Sequence, residues 1–401
     1  MTDEQVRKPR LIVLASTYPR WEDDHEPSFV HQLARRLTSW FDVVVVCPHA
    51  AGAARREVMD GVQVERYRYA PGSLETLVND GGITTNLRRA PWKWLLVPTF
   101  ILGQWMTARR LVTANAIVHA HWILTPGLVA RCLKAPFVVT SHGADLFALR
   151  GRVPTAIKRW VLRHSSDLTV VSRAMLPLAQ ALCGGRPAAV APMGVDLQHV
   201  FTPDERVTRE SSRLLFVGRL VEKKGLDVLL HALPIVLNVR PEVSLTVVGF
   251  GPLEEVLRAQ CTRLGLDGVV TFAGAMPSSS LVKYYRSATA FVAPFRKASS
   301  GDQEGLGLVL VEALGCGCPV VASDLPAVRD VLADMPGVLC VPEADAAALA
   351  SGILQVLNSN AAAEVGQGRE RLVARFDWDA VANRYADILS SVRRNTADGS
   401  R

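Results

Sequence analysis

The sequence predicts an α/β protein of two doubly wound domains, each a mostly parallel sheet with helices on both faces. Three observations carry this. The chain has 401 residues, 49% of them hydrophobic and 21% charged, a globular composition too long for one ordinary core. Short β-branched runs alternate with helix-length periodic segments in two successive series, the pattern that buried parallel strands require. Between the series, Pro203 to Arg213 is polar and lacks apolar periodicity, which marks a linker.

Taken in order, the first series of strands is expected at Leu11–Ala15, Val43–Val46, Ile117–His119, Phe137–Thr140, Leu168–Val171 and Ala189–Ala191. The second is expected at Leu214–Val217, Leu245–Val248, Val269–Phe272, Ala290–Ala293, Val320–Ala322 and Val338–Val341. The domain boundary falls in the interval 197–212 on this reading, with residues 1–197 as the first domain and 198–376 as the second. No internal repeat marks a solenoid, and residues 395–401 are expected to be a disordered tail.

Residues 1–200 hold 24 Lys and Arg against 15 Asp and Glu, and residues 201–401 hold 21 against 23, so the halves carry +9 and −2. A basic first half calls for an anionic partner: nucleic acid, anionic lipid or a phosphorylated substrate. No helix-turn-helix, zinc-finger or RNA-binding signature is present, which leaves nucleic acid out. The seven cysteines are scattered without a C-x-x-C pair and read as reduced thiols. Asp3, Glu4, Arg7 and Lys8 precede an apolar run, Leu11–Ala15, too short for a secretory segment, so a cytoplasmic location is expected. One stretch stands apart: Arg88, Arg89, Trp92, Lys93 and Trp94 lead into an uncharged run, Trp94–Ala108, closed by Arg109 and Arg110. It is shorter than the roughly 20 residues needed to span a bilayer, and Pro98 is expected to interrupt a simple helix. Its tryptophans and flanking arginines suit contact with a membrane surface; a core or lid helix with a wet basic end is the plainer alternative.

Four groups of residues carry candidate chemistry. In Glu304-Gly305-Leu306-Gly307, followed by Glu312, two carboxylates lie eight residues apart, about 12 Å if the whole segment is helical. That separation rules out a shared proton or metal. It suits the two ends of an extended ligand, with a glycine-flanked helix N-terminus offering N–H groups to phosphate. Glu312 lies in an apolar run and needs donors there, either ligand hydroxyls or an Arg or backbone partner in the core. In Val217-Gly218-Arg219 through Lys224-Gly225, two cations five residues apart follow a strand, where α/β sheets bind ligands; both suit phosphate, or a solvated turn. Gly249-Phe250-Gly251-Pro252 follows another strand but lacks the third glycine of a dinucleotide fingerprint, and a tight turn into a helix explains it as well. In Thr140-Ser141-His142-Gly143-Ala144-Asp145, the His and Asp either face a cleft at the strand end or cap the next helix. His119 and His121 sit at the end of the preceding strand and are expected to face the same rim.

In order, H-G-x-D at 142–145, Ala191-Pro192-Met193-Gly194-Val195-Asp196, F-V-G-R-L-x-x-x-K-G at 216–225, V-V-G-x-G-P at 247–252 and E-G-L-G at 304–307 with Glu312 resemble the family 4 retaining nucleotide-sugar glycosyltransferases. The resemblance runs from Leu11 to about Leu389 and is far more specific as an ordered set than any motif alone. It implies the GT-B architecture, two facing Rossmann-like domains with acceptor bound mainly by the first and donor by the second, and a crossover helix at 377–394 returning to the first. It implies that Arg219 and Lys224 bind the diphosphate, that Glu304 and the backbone of Gly305, Leu306 and Gly307 meet the donor sugar, and that Glu312 holds the ribose. Gly249 and Gly251 would line the donor site, and His142 and Asp145 would lie beside the transferred sugar. In the first loop, Ser28 stands where the family commonly has glycine.

The function expected is retaining, metal-independent hexosyl transfer from a UDP- or GDP-linked sugar, with no cofactor, to a glycan or lipid-linked acceptor in bacterial envelope or exopolysaccharide assembly. The enzyme would be peripheral on the inner face of the plasma membrane. Alternatives are an epimerase or phosphorylase of the same architecture, a dinucleotide oxidoreductase, or a silent nucleotide-sugar-binding partner.

Overall fold

The computed structural model of the protein describes residues 8–22, 24, 26–78 and 82–398, the last four by backbone alone. Two compact units emerge. Unit 1 takes the chain to Val171, Leu176–Ala191 and the residues from Val381; unit 2 takes Ser172–Met175 and Pro192–Ala380.

Among the described residues, unit 1 carries an eight-stranded sheet. Its strands are β1 (Arg10–Leu14), β2 (Asp42–Pro48), β3 (Arg56–Met59), β4 (Val62–Tyr67), β5 (Ile117–His121), β6 (Phe137–Ser141), β7 (Asp167–Val170) and β8 (Ala189–Val190), in the order β3-β4-β2-β1-β5-β6-β7-β8. All neighbours are parallel except β3 and β4. Leu11, Ile12, Val13 and Leu14 are all buried, because a central parallel strand is covered on both faces. Right-handed crossovers put helix Phe29–Leu37 on one face of the sheet. They put helices Val97–Leu111, Thr125–Arg131 and Arg152–His164 on the other, where they pack side by side.

Unit 2 carries β9 (Arg213–Val217), β10 (Ser244–Val248), β11 (Val270–Gly274), β12 (Ala290–Ala293), β13 (Val320–Ser323) and β14 (Val338–Val341), in the order β11-β10-β9-β12-β13-β14, all parallel. Its core joins β9 and β10 to helices Leu226–Leu237 and Ala346–Leu357 through Leu229, Leu233, Ile353 and Val356. In each sheet the chain reverses its direction of travel once, between β1 and β5 in unit 1 and between β9 and β12 in unit 2. Crevices at the carboxyl ends of such neighbours are where open α/β sheets take ligands.

The structure departs from the sequence expectations in four places. The hairpin β3–β4 was not foreseen, although Asp60-Gly61 turns it with φ of 46° and 79°, the left-handed pair that a two-residue hairpin turn demands. Pro98 does not interrupt a helix, because helix Val97–Leu111 starts beside it and the first turn needs no N–H there. The expected tail is helical through Asp398, since no Gly or Pro intervenes before Gly399, and residues 399–401 lie outside the described residues. The interval 197–212 lies wholly within unit 2, whose long segment begins at Pro192.

A buried carboxylate explains that attachment. Asp377 accepts hydrogen bonds from Leu197 N at 3.0 Å, Gln198 Nε2 at 2.9 Å and Asp379 N at 3.0 Å, while Val195 N donates to Phe376 O at 2.9 Å. The motif Ala191–Asp196 is therefore a tether for the start of helix Trp378–Asp398, whose residues from Val381 belong to unit 1. There the Tyr385 hydroxyl donates to Ala191 O at 2.8 Å. Replacing Asp377 by Ala strands three donors, two of them backbone N–H groups, and is expected to cost roughly 2 to 4 kcal/mol. A fall in the urea midpoint of unfolding, with wild-type far-UV circular dichroism retained, checks this.

Candidate active site

In unit 2 the loops after β9 and β12 meet at the reversal point of the sheet. Gly225 has φ of +67°, and a Cβ there would lie 1.7 Å from Pro294 O. Only glycine lets the turn Glu222–Lys224 press against the segment following β12. The two loops are then stitched together: Glu222 accepts from Ser299 N and Oγ at 2.8 Å, Arg296 N donates to Lys223 O at 3.0 Å, and Lys223 Nζ lies 3.2 Å from Asp302.

This approach brings Lys224 to Glu304. Lys224 Nζ donates to Glu304 Oε2 at 2.6 Å and lies 4.4 Å from the centre of the Phe295 ring, a cation–π contact. Each side chain of the pair is 13% exposed. Burial alone would raise the Glu304 pKa, but Lys224, Lys223 and the Gly305 N–H outweigh it and hold the carboxyl down to about 2. Glu304 is thus a permanent anion locked to a cation. Gly305, Leu306 and Gly307 form the turn into helix Leu308–Gly315, which opens on Gly307 at φ +87° with no side chain capping it. The Leu306 side chain is buried. Because the helix starts at Leu308, Glu304 stands in the loop ahead of it, not on its axis. Arg219, just past β9, is exposed.

Gly249 and Gly251 face protein. A Cβ on Gly249 would lie 2.0 Å from Gly218 O, and one on Gly251 would lie 2.5 Å from Leu220 O. Gly249 N donates to Gly274 O at 2.8 Å. Their lack of side chains lets the β9 and β10 loops touch, which accounts for this G-x-G.

Glu312 finds its donor in the Tyr285 hydroxyl, 2.9 Å from Oε2; the core partner is a tyrosine, neither the Arg nor the backbone N–H considered from sequence. Burial pushes the Glu312 pKa up to about 7, with the Tyr285 bond and the Lys224 charge working the other way.

In unit 1 the corresponding reversal point gathers aromatic rings. His142, just past β6, packs against Phe29 and Trp122, each with ring centres 4.9 Å away. His121 Nδ1 and His142 Nε2 share a hydrogen bond of 2.9 Å. Burial pulls the pKa of His142 and His119 down to about 3 and that of His121 well below normal, so His142 is a neutral imidazole at physiological pH. Asp145 is buried, and its oxygens accept from Ile123 N at 2.9 Å, Ser141 Oγ at 2.9 Å and His142 N at 3.2 Å. It lies in the first turn of helix Ala144–Phe147, not at its cap, and ties the loop after β5 to the loop that carries His142. Lys158, also buried, holds the far end of that short helix by donating to Ala148 O at 2.6 Å. In the first loop, Arg20 is paired with Asp24, and the buried Arg66 holds Pro19 O at 2.8 Å; Asp23 and His25 lie outside the described residues.

Residues 28–199 match the family model Glycosyltransferase Family 4, and residues 202–375 match Glycosyl transferases group 1. A phosphatidyl-myo-inositol mannosyltransferase of Mycobacterium leprae is 33% identical over 285 residues, covering 69% of this chain and 73% of that protein. The chain is a family 4 glycosyltransferase. A glycogen synthase of Mycobacterium tuberculosis is similar along nearly the whole length, 29% identical over 411 residues, 96% of this chain and 95% of the relative. Anabaena HepE, solved with UDP and glucose, superposes with a TM-score of 0.71 at 17% identity, covering 96% of this chain and 100% of that one. The fold is GT-B, and the enzyme is a nucleotide-sugar glycosyltransferase.

Some residues at these two points escaped the sequence reading. Phe295 and Tyr285 are aromatic residues in apolar surroundings, indistinguishable in sequence from core. Trp122 has φ of 75°, a strained conformation for a bulky side chain, with no sequence marker. His121 is placed by the sequence on the same rim as His142, and the structure adds the hydrogen bond between them.

In this glycosyltransferase, Glu304 is depressed from 4.5 to about 2. Its pairing therefore contributes stability above about pH 4.5 that is lost as pH falls through about 2, roughly 3 kcal/mol in all. Urea unfolding of unit 2 is expected to weaken over that interval in the wild type, and Glu304→Gln is expected to flatten this part of the profile.

Proposed function

We propose that the enzyme transfers a hexose, with retention and without a metal or other cofactor, from a UDP- or GDP-sugar in unit 2 to a lipid-linked, phosphate-bearing acceptor in unit 1. The observation that carries the donor assignment is the Lys224–Glu304 pair beside the uncapped N-terminus of helix Leu308–Gly315. Cleavage of the sugar–phosphate bond builds negative charge on the departing diphosphate. Lys224, Arg219 and the helix N-terminus offer it fixed positive potential, needing no reorganisation as the charge grows.

In this reading, Gly305 to Gly307 and Glu304 hold the hexose, Glu312 takes the ribose hydroxyls, and neutral His142 exchanges a hydrogen bond with the transferred sugar. Gly249 and Gly251 act through loop packing, and Asp145 by fixing His142. Glu304 is committed to Lys224, which favours front-face attack with the departing phosphate receiving the acceptor proton over a covalent carboxylate intermediate. The metal-independent reading rests on these cations doing the work of a divalent ion. Among the described residues no group of three His, Cys, Asp or Glu has metal-holding proximity.

The lipid-linked acceptor is supported by the mycobacterial phosphatidyl-myo-inositol mannosyltransferase likeness and by the surface of unit 1. Between Gly82 and Ser166 the chain holds twelve Lys and Arg and a single carboxylate, Asp145, which is buried. On that stretch Trp92, Trp94, Leu95, Leu102 and Met106 are exposed, Leu95 to 79%, next to exposed Arg88, Arg89, Arg109 and Arg110. Aromatic and apolar tips beside uncompensated cations suit an anionic bilayer surface. No helix among the described residues is long and apolar enough to cross a membrane. Contact at the inner face of the plasma membrane is therefore proposed as peripheral.

Acceptor-dependent nucleotide release from UDP- and GDP-hexoses tests the assignment. Lys224→Ala is expected to lower kcat/KM by about a hundredfold or more, and EDTA is expected to leave the rate unchanged. Unaltered turnover in Lys224→Ala would reject the donor site, and loss of activity in EDTA would reject metal independence. Sedimentation with phosphatidylglycerol vesicles tests the surface: Trp94→Ser with Leu95→Ser is expected to weaken binding by about tenfold, and added salt is expected to weaken it further.

A further inference from the structure

Helix Ser278–Ser287 buries Leu281 and Tyr285, four residues apart on one face. Leu281 is an ordinary core contact. Tyr285 is fully buried, edge-on to Phe291 at 5.5 Å and to Phe201 at 6.1 Å. Phenylalanine would serve that packing as well. The hydroxyl has another use, donating to Glu312 Oε2 at 2.9 Å.

An ionised carboxylate is an acceptor with about four lone-pair sites, and this bond occupies one. We propose that Tyr285 is a positioning residue for Glu312, holding one carboxylate oxygen so that the ionised group presents its remaining lone pairs to the vicinal ribose hydroxyls of the donor. This rests on the reading of Glu312 as the ribose carboxylate and adds a regulation: donor binding is graded by pH around neutrality.

The groups acting on Glu312 are few. Tyr285 faces it from helix Ser278–Ser287, and Lys224 acts on it from the turn after β9. Cys316 lies one turn further along its own helix, and Cys318 acts on Tyr285; burial pushes both thiols up to about 12, so they stay neutral. Arg209 and Arg286 act on Cys316, and both are engaged by backbone carbonyls, Arg209 at Gly317 O and Arg286 at Thr202 O. With the carboxyl near 7, protonation turns one oxygen into an O–H donor and removes the negative charge, so the neutral form accepts more weakly from the pair of hydroxyls. Affinity for the ribose therefore rises as pH increases through neutrality. Removing the Tyr285 hydroxyl withdraws a donor from the charged form and moves that rise to higher pH.

The test compares binding of UDP and GDP with their 2′,3′-dideoxy counterparts by calorimetry on both sides of neutral pH. The dideoxy compounds share the titration of the phosphates but lack the ribose hydroxyls, and any misfolded fraction cancels in the affinity ratio. The wild-type ratio is expected to climb with pH. In Tyr285→Phe the climb is expected about one pH unit higher, with the ratio at neutral pH lowered about tenfold and kcat at saturating donor within about threefold of wild type. Glu312→Gln is expected to give a ratio independent of pH. A Tyr285→Phe profile that superimposes on the wild type while Glu312→Gln is flat would overturn the role of Tyr285 alone. An unchanged, pH-dependent ratio in Glu312→Gln would overturn the ribose assignment beneath it.

Discussion

The ion pair between Lys224 and Glu304 is the contact on which the arrangement of loops at the reversal point of unit 2 depends. Two charges removed from water are costly unless each finds its counterpart at close range, and here each does, at 2.6 Å. The pair exists because Gly225 lets one loop lie against the backbone of another. A side chain at that position would separate the two loops, leaving a lysine and a glutamate each without compensation. The surrounding ties from Glu222, Lys223 and Arg296 hold the loops in register, so the charges are preorganised before any ligand arrives. Preorganisation of this kind lets a protein stabilise charge that appears only in a transition state.

The two units solve the same geometric problem with different chemistry. Each has one reversal in its sheet, and each gathers its functional side chains at the strand ends beside it. Unit 2 builds its reversal point from glycines, cations and carboxylates. Unit 1 uses Phe29, Trp122 and three histidines kept neutral by burial, a cluster of rings and uncharged hydrogen-bonding groups. Asp145, a charged residue that sequence reading connects with chemistry, is turned inward to hold backbone, as is Lys158.

Buried titratable groups are sorted by what stands next to them. Glu304 and Glu312 are both buried carboxylates on one segment, yet one is held near 2 and the other near 7. A lysine within hydrogen-bonding distance outweighs desolvation for the first. A neutral hydroxyl and a more remote charge do not for the second. The difference separates a fixed anion from a group that can respond to pH, within eight residues of chain.

Sequence by itself determined the two-domain α/β class, twelve of the strands and the GT-B family membership. These are recorded in short local patterns: apolar runs of strand length, glycines where the chain must turn, cations and carboxylates after strands. It did not determine that Gly225, Gly249 and Gly251 each approach the backbone of another loop, since a glycine after a strand reads the same until its neighbours are in place. Nor did it separate Tyr285 and Phe295 from ordinary core aromatics, or show that Asp145 serves the backbone. Those assignments depend on atoms 22 to 80 residues apart in the chain, such as Ile123 with Asp145 and Lys224 with Glu304, and only tertiary structure brings such atoms within bonding distance.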